Sequence, residues 1–388
     1  MKIVLYTNIL TPYRKYTYDL IYQSCREMGD DFHVLVMANT EGNRTWTYDN
    51  LKAPYTELLG GFTLGKGETY IHFNKKLINK LRELKPDIVV CAGSYLCPGV
   101  WLVAGYKKRL HYKCLFWSES HLNEQKGTAG LKATVRESIR QLVYKRYDGF
   151  WYAGKLSREF IEKYAKNDAE YFFFPNLIEE DKYKSAGEMT ATERLNNRRE
   201  LGIDDEKTIF FCPARLSPVK GILEFMDLFD MADNKEKAVV LIAGTGDLKD
   251  EIERKAVEKN LNVRLLGYKN QDEVIGLYGM ADVFLMPSLS DPNPLTCIEA
   301  LWAGLPLFIS NHCGNYPEVV SEGRNGYVFS YAKPDEATKK LELVIESSTE
   351  WRTRAGEVSR MRAEKCYCSG KTVKELLNLL HEKLIKRG

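Results

Sequence analysis

The feature that most constrains the fold is a series of short apolar runs separated by longer amphipathic segments. In the first half of the chain the runs are KIVLYT, FHVLVMA, DIVVCAG, CLFWSE and GFWYAG, and in the second half they are TIFFCPA, AVVLIAG, NVRLLG, DVFLMP and PLFIS. Continuous apolar strands that alternate with helices are typical of parallel sheets covered by helices on both faces. The pattern therefore predicts an α/β protein with two doubly wound, Rossmann-like halves.

A polar, charged stretch without a strand pattern, residues 177–206, interrupts the series, and we interpret it as the passage between two domains. A chain of 388 residues is long enough for two domains with separate cores. We predict an N-terminal domain over residues 1–176 and a C-terminal domain over residues 177–366. Residues 367–388 are predicted to form a final helix, for which packing on the N-terminal domain is one option.

The composition excludes several classes of protein. With 44% hydrophobic residues, 28% charged residues and a formal net charge of +3, the chain is typical of soluble globular proteins and not of nucleic-acid-binding or disordered ones. The longest mostly apolar stretch, residues 95–106, is shorter than the roughly 20 residues that span a bilayer. The first apolar run is broken at Thr7 and Asn8, which argues against a signal peptide, and the nine cysteines are scattered without a CxxC motif. These features predict a cytoplasmic protein with reduced thiols.

Two cations follow the first strand of the second half. After TIFFCPA the chain continues as RLSPVKG, on a loop that opens a helix near Ile222. Ligands of open α/β sheets bind beyond the carboxyl ends of the strands, where fixed cations stabilise a leaving diphosphate without a metal ion. Arg215 and Lys220 are therefore candidate diphosphate ligands. The alternative is that both are solvated surface charges.

The next strand ends in a glycine turn, GTGD, that leads into a helical pattern. Glycines at such a turn let the backbone approach a ligand. Gly244 and Gly246 are therefore candidate donor-binding residues. A tight strand-to-helix turn uses the same glycines when no ligand is bound.

The most specific segment spans residues 286–310 and has the sequence MPSLSDPNPLTCIEALWAGLPLFIS. It predicts a strand, a loop, a short helix over 295–303 with a glycine stop, and a second strand. Glu299 lies one turn into that helix among apolar residues, where a carboxylate needs a partner that a ribose diol can supply. Asp291, eight residues earlier, is placed to meet a transferred sugar. Otherwise Glu299 is a half-exposed helix residue and Asp291 a turn former.

These segments resemble the family-4 glycosyltransferases, retaining enzymes of the GT-B fold whose donor domain carries a Glu-x7-Glu motif, typically PSxxEGFGLPxxEAxAxGxPV. The chain has PSLSDPNPLTCIEALWAGLPL at matching spacing. Further segments that resemble the family are PARLSPVKG, AGTGDL, LLGY and NHCGNYPEVVSEGRNGYVF, so the resemblance extends over residues 208–329. It implies a GT-B fold of two Rossmann-like domains that face a central cleft, with the donor on the second domain.

By position, the resemblance makes Arg215 and Lys220 the diphosphate clamp, Glu299 the ribose ligand and Asp291 the carboxylate facing the donor sugar. It adds neighbouring loop residues to the donor site: Asn293, Pro294 and Leu295. The chain departs from the family pattern because Asp291 is one methylene shorter than the usual Glu, prolines at 292 and 294 replace glycines, and Asn293 replaces an aromatic residue. Prolines remove N–H groups from a loop that often holds phosphate or sugar, so the donor sugar is left open.

The N-terminal half resembles the family less closely. TPYR after the first strand resembles a variant found there in some members, which implies that Tyr13 and Arg14 lie on the acceptor side. The loop SESH after CLFWSE occupies the position of the family's catalytic-site histidine, and His121, with Glu119 as second choice, is the candidate; the alternative is a surface loop histidine. The absence of GxGxxG after the first strand argues against a nicotinamide dehydrogenase.

The resemblance implies a retaining transferase that moves a sugar from a nucleotide-sugar, UDP-linked first and GDP-linked second, to a hydroxyl acceptor in polysaccharide or glycoconjugate biosynthesis. The sequence contains no HExxH motif and no Asp-x-Asp motif, so we expect no metal ion. Two alternatives remain on the same fold: a nucleotide-sugar-binding protein with little activity, and a nucleotide-sugar epimerase. The sequence does not identify the acceptor, for which a sugar or a lipid-linked sugar is expected.

Residues 130–147, GLKATVRESIRQLVYKRY, predict a basic amphipathic helix. One apolar stripe contains Leu131, Val135, Ile139, Leu142 and Val143. In one interpretation this stripe packs on the N-terminal sheet as a crossover helix with solvated charges. In the other the helix lies on an anionic membrane, which predicts peripheral contact with the inner membrane face.

Overall fold

A computed structural model describes residues 1–42, 46–66, 69–125 and 131–385. The chain divides into two compact units. Unit 1 comprises Met1–Leu177 and Ser369–Gly388, and unit 2 comprises Ile178–Cys368. All nine cysteines of the sequence are free thiols. In the described residues, no helix combines the length and the apolar character that crossing a membrane requires.

Unit 1 is built on a parallel sheet whose strands lie in the order β3-β2-β1-β6-β7-β8-β9. Its elements up to the end of this sheet are β1 (Lys2–Thr7), α1 (Pro12–Glu27), β2 (Asp31–Val36), α2 (Tyr48–Leu51), β3 (Thr56–Leu58), β4 (Phe62–Lys66), β5 (Thr69–Phe73), α3 (Leu77–Leu84), β6 (Ile88–Ala92), α4 (Pro98–Leu110), β7 (Lys113–Ser118), α5 (Leu131–Tyr144), β8 (Gly149–Tyr152), α6 (Lys155–Glu162) and β9 (Glu170–Phe173). Side chains on both faces of β1 are fully buried, as expected for a central parallel strand.

Unit 2 is built on a second parallel sheet, in the order β12-β11-β10-β13-β14-β15. Its elements are α7 (Glu180–Ala186), α8 (Ala191–Glu200), β10 (Thr208–Pro213), α9 (Ile222–Met231), β11 (Ala238–Ala243), α10 (Lys249–Glu258), β12 (Val263–Gly267), α11 (Gln271–Met280), β13 (Val283–Met286), α12 (Leu295–Trp302), β14 (Leu307–Ser310), α13 (Tyr316–Val319), β15 (Gly326–Phe329), α14 (Pro334–Ile345) and α15 (Thr349–Tyr367). The predicted α/β architecture with two Rossmann-like halves is confirmed.

The last helix, α16 (Ser369–Leu380), belongs to unit 1. Its apolar stripe is buried in the same core cluster as residues of β1 and α1, and the stripe contains Val373, Leu376, Leu377 and Leu380. Beyond the helix, His381 Nε2 lies 2.7 Å from a carboxylate oxygen of Asp30. The helix α16 is therefore part of the unit 1 core.

Each sheet has one point where the chain order reverses. In unit 1 the strands run outward from β1 to β3 and the chain then returns to place β6 on the other side of β1. In unit 2 the same reversal lies between β10 and β13. Because the loops at such a switch point diverge, ligands of open α/β sheets bind beyond the carboxyl ends of the two strands.

At the amino ends of the strands in unit 2, one buried carboxylate anchors two helices. Asp282, directly before β13, is 5% exposed, and its Oδ2 accepts hydrogen bonds from the backbone N–H of Ile209 at 2.8 Å and from Arg198 at 2.7 Å. Its Oδ1 accepts one from Arg194 at 2.7 Å and lies 3.0 Å from a guanidinium nitrogen of Arg352. The same arginines donate to carbonyl groups at the ends of α11 and α14, whose helix dipoles favour cations. Asp282 thus ties α8 and α15 to the sheet.

The interpretation of residues 177–206 as the passage between domains named no helices; the structure forms α7 and α8 there, and the residues from Ile178 onward belong to unit 2. The antiparallel hairpin of β4 and β5 was not predicted; its inner face is fixed by buried His72, whose Nε2 lies 2.6 Å from an oxygen of Glu41. The described part of the predicted helix at 130–147 ends at Tyr144.

The expectation that the apolar stripe of this helix packs on the sheet is wrong at two positions. Val135 and Leu142 are each 50% exposed, whereas Val143 is buried. Arg140 is not a solvated charge, because its guanidinium lies 4.9 Å from the ring centres of Tyr95 and Phe160. The helix therefore directs Arg140 toward the aromatic side chains of unit 1 and exposes part of its apolar stripe to solvent.

Candidate functional site

In unit 2 the loops after β10 and β13 meet at the switch point. Gly221 has a φ of +65°, and a Cβ there would lie 2.2 Å from the carbonyl oxygen of Pro287, so only glycine allows this approach. The N–H of Leu289 donates to the carbonyl of Val219 at 2.9 Å. The hydroxyl of Tyr331 lies 2.6 Å from the Pro287 carbonyl oxygen and 3.1 Å from that of Gly221. These contacts make the two loops one continuous wall.

This wall brings two predicted site residues together. Lys220 ends a 3-10 turn before α9, and its Nζ lies 2.5 Å from Oδ2 of Asp291, with both side chains about 15% exposed. The backbone of Asp291 is fixed from the other side, because its N–H donates to His312 and its carbonyl accepts from Gly314. Lys220 can therefore reach an anionic ligand only by sharing its charge with Asp291 or by leaving it.

The arginine and the glycines of the predicted clamp have different surroundings. The side chain of Arg215 is exposed. Gly244 and Gly246 have φ values of +155° and +157°, and a Cβ would lie 2.0 Å from the carbonyl oxygen of Ala214 and 2.3 Å from that of Leu216, respectively. Packing against the loop after β10 therefore requires both glycines, whether or not a ligand binds.

Glu299 lies in α12, half-buried, and has tyrosine partners. The hydroxyl of Tyr278 donates to its Oε2 at 2.8 Å. Burial raises the pKa of the Glu299 carboxyl, and the hydroxyls of Tyr278 and Tyr183 lower it, with a net rise. The predicted need for a partner is met within the protein by these phenols.

The loop into α12 explains what the prolines do. Asn293 is buried, and the carbonyl of Pro294, directly before the helix, accepts a hydrogen bond from Asn315 Nδ2 at 3.1 Å. Because Pro292 and Pro294 carry no N–H, the first N–H groups available at this helix end belong to Leu295 and the residues after it.

In unit 1, the predicted acceptor-side residues lie at the carboxyl ends of β1 and β7. Thr11 caps α1 by accepting from the N–H of Arg14. The Arg14 guanidinium stacks on Trp117, with 3.9 Å between its central carbon and the ring centre, and forms an ion pair with Glu119. Burial lowers the pKa of Arg14 and Glu119 raises it, with a net rise, so the guanidinium stays charged. Tyr13, beside it, is 38% exposed.

His121 follows β7 and is not a surface loop histidine, since its side chain is 1% exposed. It directly precedes the 3-10 turn Leu122–Gln125. In the described residues, no group of three or more His, Cys, Asp or Glu side chains is arranged to hold a metal ion.

Sequence reasoning did not identify the three tyrosines of the unit 2 site, Tyr183, Tyr278 and Tyr331. Each lies on an element remote in sequence from the group that it contacts; Tyr278, for example, precedes Glu299 by 21 residues. The only signal was a tyrosine within the mostly apolar segment VIGLYGM, which is equally typical of a core residue.

Comparisons with known proteins identify similar sequences and similar folds. Residues 193–362 match the family model described as Glycosyl transferases group 1. The chain is similar to an uncharacterized glycosyltransferase of Methanocaldococcus jannaschii, with 33% identity over 157 residues, and to the alpha-monoglucosyldiacylglycerol synthase of Acholeplasma laidlawii, with 26% identity over 298 residues. These alignments cover 39% and 71% of this chain and 40% and 71% of the relatives' own lengths.

Among solved structures, the fold is similar to that of Anabaena HepE in complex with UDP and glucose. The TM-score is 0.73 at 14% sequence identity, and the alignment covers 98% of this chain and 100% of the other. The predicted GT-B fold is confirmed by this likeness. Residues 193–362 thus match the glycosyl transferases group 1 model within a chain that has the GT-B fold.

Proposed function

We propose that this chain is a retaining glycosyltransferase of the family-4 type, which transfers a sugar from a nucleotide-sugar to an acceptor hydroxyl without a metal ion. The observation that carries the proposal is the placement of Lys220, Asp291 and Glu299 on the elements that follow β10 and β13, where unit 2 has its switch point. A cation and two carboxylates at that edge match the three parts of a nucleotide-sugar, which are a diphosphate, a sugar and a ribose diol.

The proposed reaction uses the cations on the leaving group. As the bond between the anomeric carbon and the phosphate oxygen breaks, negative charge accumulates on the diphosphate, and Lys220 with Arg215 neutralises it. The acceptor oxygen bonds to the anomeric carbon on the face that the phosphate leaves, and the acceptor proton passes to the departing phosphate oxygen. The anomeric configuration is retained and the proton is accounted for.

A UDP-sugar is the first candidate donor and a GDP-sugar the second, and the UDP complex of the structurally similar HepE supports this order. A thermal-shift panel of UDP, GDP and their sugars tests it, because a ligand that binds the native state raises stability in proportion to occupancy. Turnover measured with and without excess EDTA tests metal independence, and a complete loss that Mg²⁺ reverses contradicts it. Release of a free epimeric sugar without acceptor would indicate an epimerase, and binding without turnover a binding protein.

We propose that unit 1 binds the acceptor through Tyr13, Arg14 and Glu119, with His121 as the catalytic-site histidine near the reacting sugar, and that the acceptor is a sugar or a lipid-linked sugar. One relative is named for a diacylglycerol product, which supports a lipid acceptor. The exposed Val135 and Leu142 on a basic helix support peripheral contact with an anionic membrane.

A further inference from the structure

We propose that Tyr278 and Tyr183 are positioning residues that hold Glu299 as an oriented acceptor for the ribose diol. This inference rests on the proposed function, since it requires a nucleotide at the unit 2 site. A carboxylate offers about four acceptor positions, and two phenol donors leave two of them for adjacent hydroxyl groups.

Tyr278 is held rigidly by its neighbours in the unit 2 core. Its side chain is fully buried, and its ring packs edge-on against Phe211, with centres 5.0 Å apart and an interplanar angle of 89°. The ring of Tyr183 packs edge-on against it at 5.8 Å, and Phe284 stacks at 6.2 Å. A ring enclosed on three sides keeps one rotamer, so its hydroxyl points to a fixed place.

The Tyr278 hydroxyl donates its hydrogen bond to the Glu299 carboxylate. Tyr278 lies 2.8 Å from Oε2 of Glu299 and 3.2 Å from the carbonyl oxygen of Thr296. Its single proton is best donated to the charged and nearer acceptor, because charge-assisted hydrogen bonds are shorter and stronger. Glu299 is thereby held from α11 and, through Tyr183, from α7.

Both tyrosines favour the ionised form of Glu299. Burial disfavours the carboxylate, and both phenols oppose that effect. Only the ionised group accepts from both ribose hydroxyls, so nucleotide affinity falls as the pH decreases through the pKa of Glu299. Removal of one phenol donor raises that pKa further and moves the loss of affinity to higher pH.

The test measures UDP and GDP binding by titration calorimetry between pH 5 and pH 8. The variants are Tyr278→Phe, Tyr183→Phe and Glu299→Gln. Tyr367→Phe is the matched control: Tyr367 is also fully buried in the unit 2 core, and its hydroxyl has no hydrogen-bond partner among the described residues. We expect each of the first two variants to bind about tenfold more weakly at pH 5.5 and to shift the acid limb up by about one pH unit, since a hydrogen bond to a charged group is worth roughly that much.

Three outcomes overturn the inference. Phenylalanine variants whose affinity and acid limb equal those of Tyr367→Phe assign the two hydroxyls a merely structural role. Unchanged affinity in Glu299→Gln removes the group that the tyrosines position. If the wild-type protein binds neither UDP nor GDP, the proposed function itself fails, and this result is distinguishable because it precedes any substitution. Tyr183→Phe keeps the test decisive if Tyr278→Phe does not fold.

Discussion

Both units are built on a parallel sheet, but they carry different groups at the carboxyl ends of their strands. In unit 2 the wall at β10 and β13 carries Lys220 paired with Asp291, and Glu299 follows on α12. In unit 1 the ends of β1 and β7 carry Arg14 stacked on Trp117 and paired with Glu119. A diphosphate and a ribose are common to the UDP- and GDP-sugars proposed as donors, whereas acceptors vary. The proposed donor site in unit 2 is therefore the one that a sequence motif can describe.

The largest expected effect concerns the amino ends of the strands, where each unit has an aspartate directly before a strand of its sheet. Asp148 in unit 1 accepts from the N–H of Cys114 at 3.0 Å and from Lys107 at 2.6 Å, and its side chain is 18% exposed. Asp282 is more deeply buried and faces three arginines. We expect Asp282→Asn to lower the free energy of unfolding by about 3 kcal/mol, because it leaves buried cations without their counter-charge. Asp148→Asn should cost roughly 1 kcal/mol.

Urea unfolding of both variants checks this difference, with the slope of the transition compared to the wild type. Equal losses in the two variants would contradict the claim that the anchor of unit 2 carries more of its stability than the anchor of unit 1 carries.

The next effect distinguishes the roles of the charged pairs Lys220–Asp291 and Arg14–Glu119 at the carboxyl ends of the strands. Lys220→Ala should lower turnover at least about a hundredfold, roughly 3 kcal/mol, because the leaving diphosphate loses a partly buried cation. Arg215→Ala should act in the same direction. Arg14→Gln should leave UDP affinity within about twofold of the wild type and raise the acceptor KM about tenfold, or roughly 1.4 kcal/mol.

Steady-state kinetics with both substrates varied, together with UDP titration, distinguish these outcomes. Lys333→Ala is the control, since Lys333 forms an exposed ion pair with Glu336 in unit 2. Near-normal turnover in folded Lys220→Ala would remove the clamp assignment, and a loss of UDP affinity in Arg14→Gln would move that residue to the donor side.

A smaller effect should distinguish the two carboxylates within unit 2. Asp291→Asn should lower transfer about tenfold while changing UDP affinity little, because the group is proposed to face the transferred sugar, which UDP lacks. Glu299→Gln should weaken UDP binding instead, because an amide replaces a charged acceptor. Parallel measurements of kcat and UDP affinity check this, and an equal loss of UDP affinity in both variants would reassign Asp291 to the nucleotide.

The sequence described the fold well where structure depends on local patterns. The run TIFFCP became β10 because each of its side chains but the last is buried, and α12 ends at Trp302, with Ala303 as its C-cap, because Gly304 follows with a φ of +73°. These are properties of a few neighbouring residues, and the period and the stop signal are both readable.

Features that depend on distant partners could not be read. The β4–β5 hairpin is held by His72 and Glu41, which are 31 residues apart, and the partner of Glu299 lies on another helix. In the same way, the ion pair between Lys220 and Asp291 joins positions 71 residues apart. The motif placed each residue at a strand end, but only the sheet order shows which strand ends are neighbours.

The smallest expected effect concerns α5 of unit 1. Val135 and Leu142 are each 50% exposed, and the exposed cations nearby include Arg136, Lys145 and Arg146. Each cation near an anionic bilayer contributes about 1 kcal/mol, which salt screens, and the apolar side chains add burial.

We therefore expect co-flotation with liposomes that contain anionic lipid at low salt, reduced at high salt. A Val135→Asp and Leu142→Asp double variant should lose it, whereas Val257→Asp, at an 82% exposed valine of unit 2, should not. Arg140 is left intact because its guanidinium packs among Tyr95, Phe160 and Tyr164, so its replacement would disturb the fold as well as the charge. Flotation that is absent, insensitive to salt, or unchanged in the double variant would contradict membrane contact through α5. The helix would then have only a structural role in unit 1.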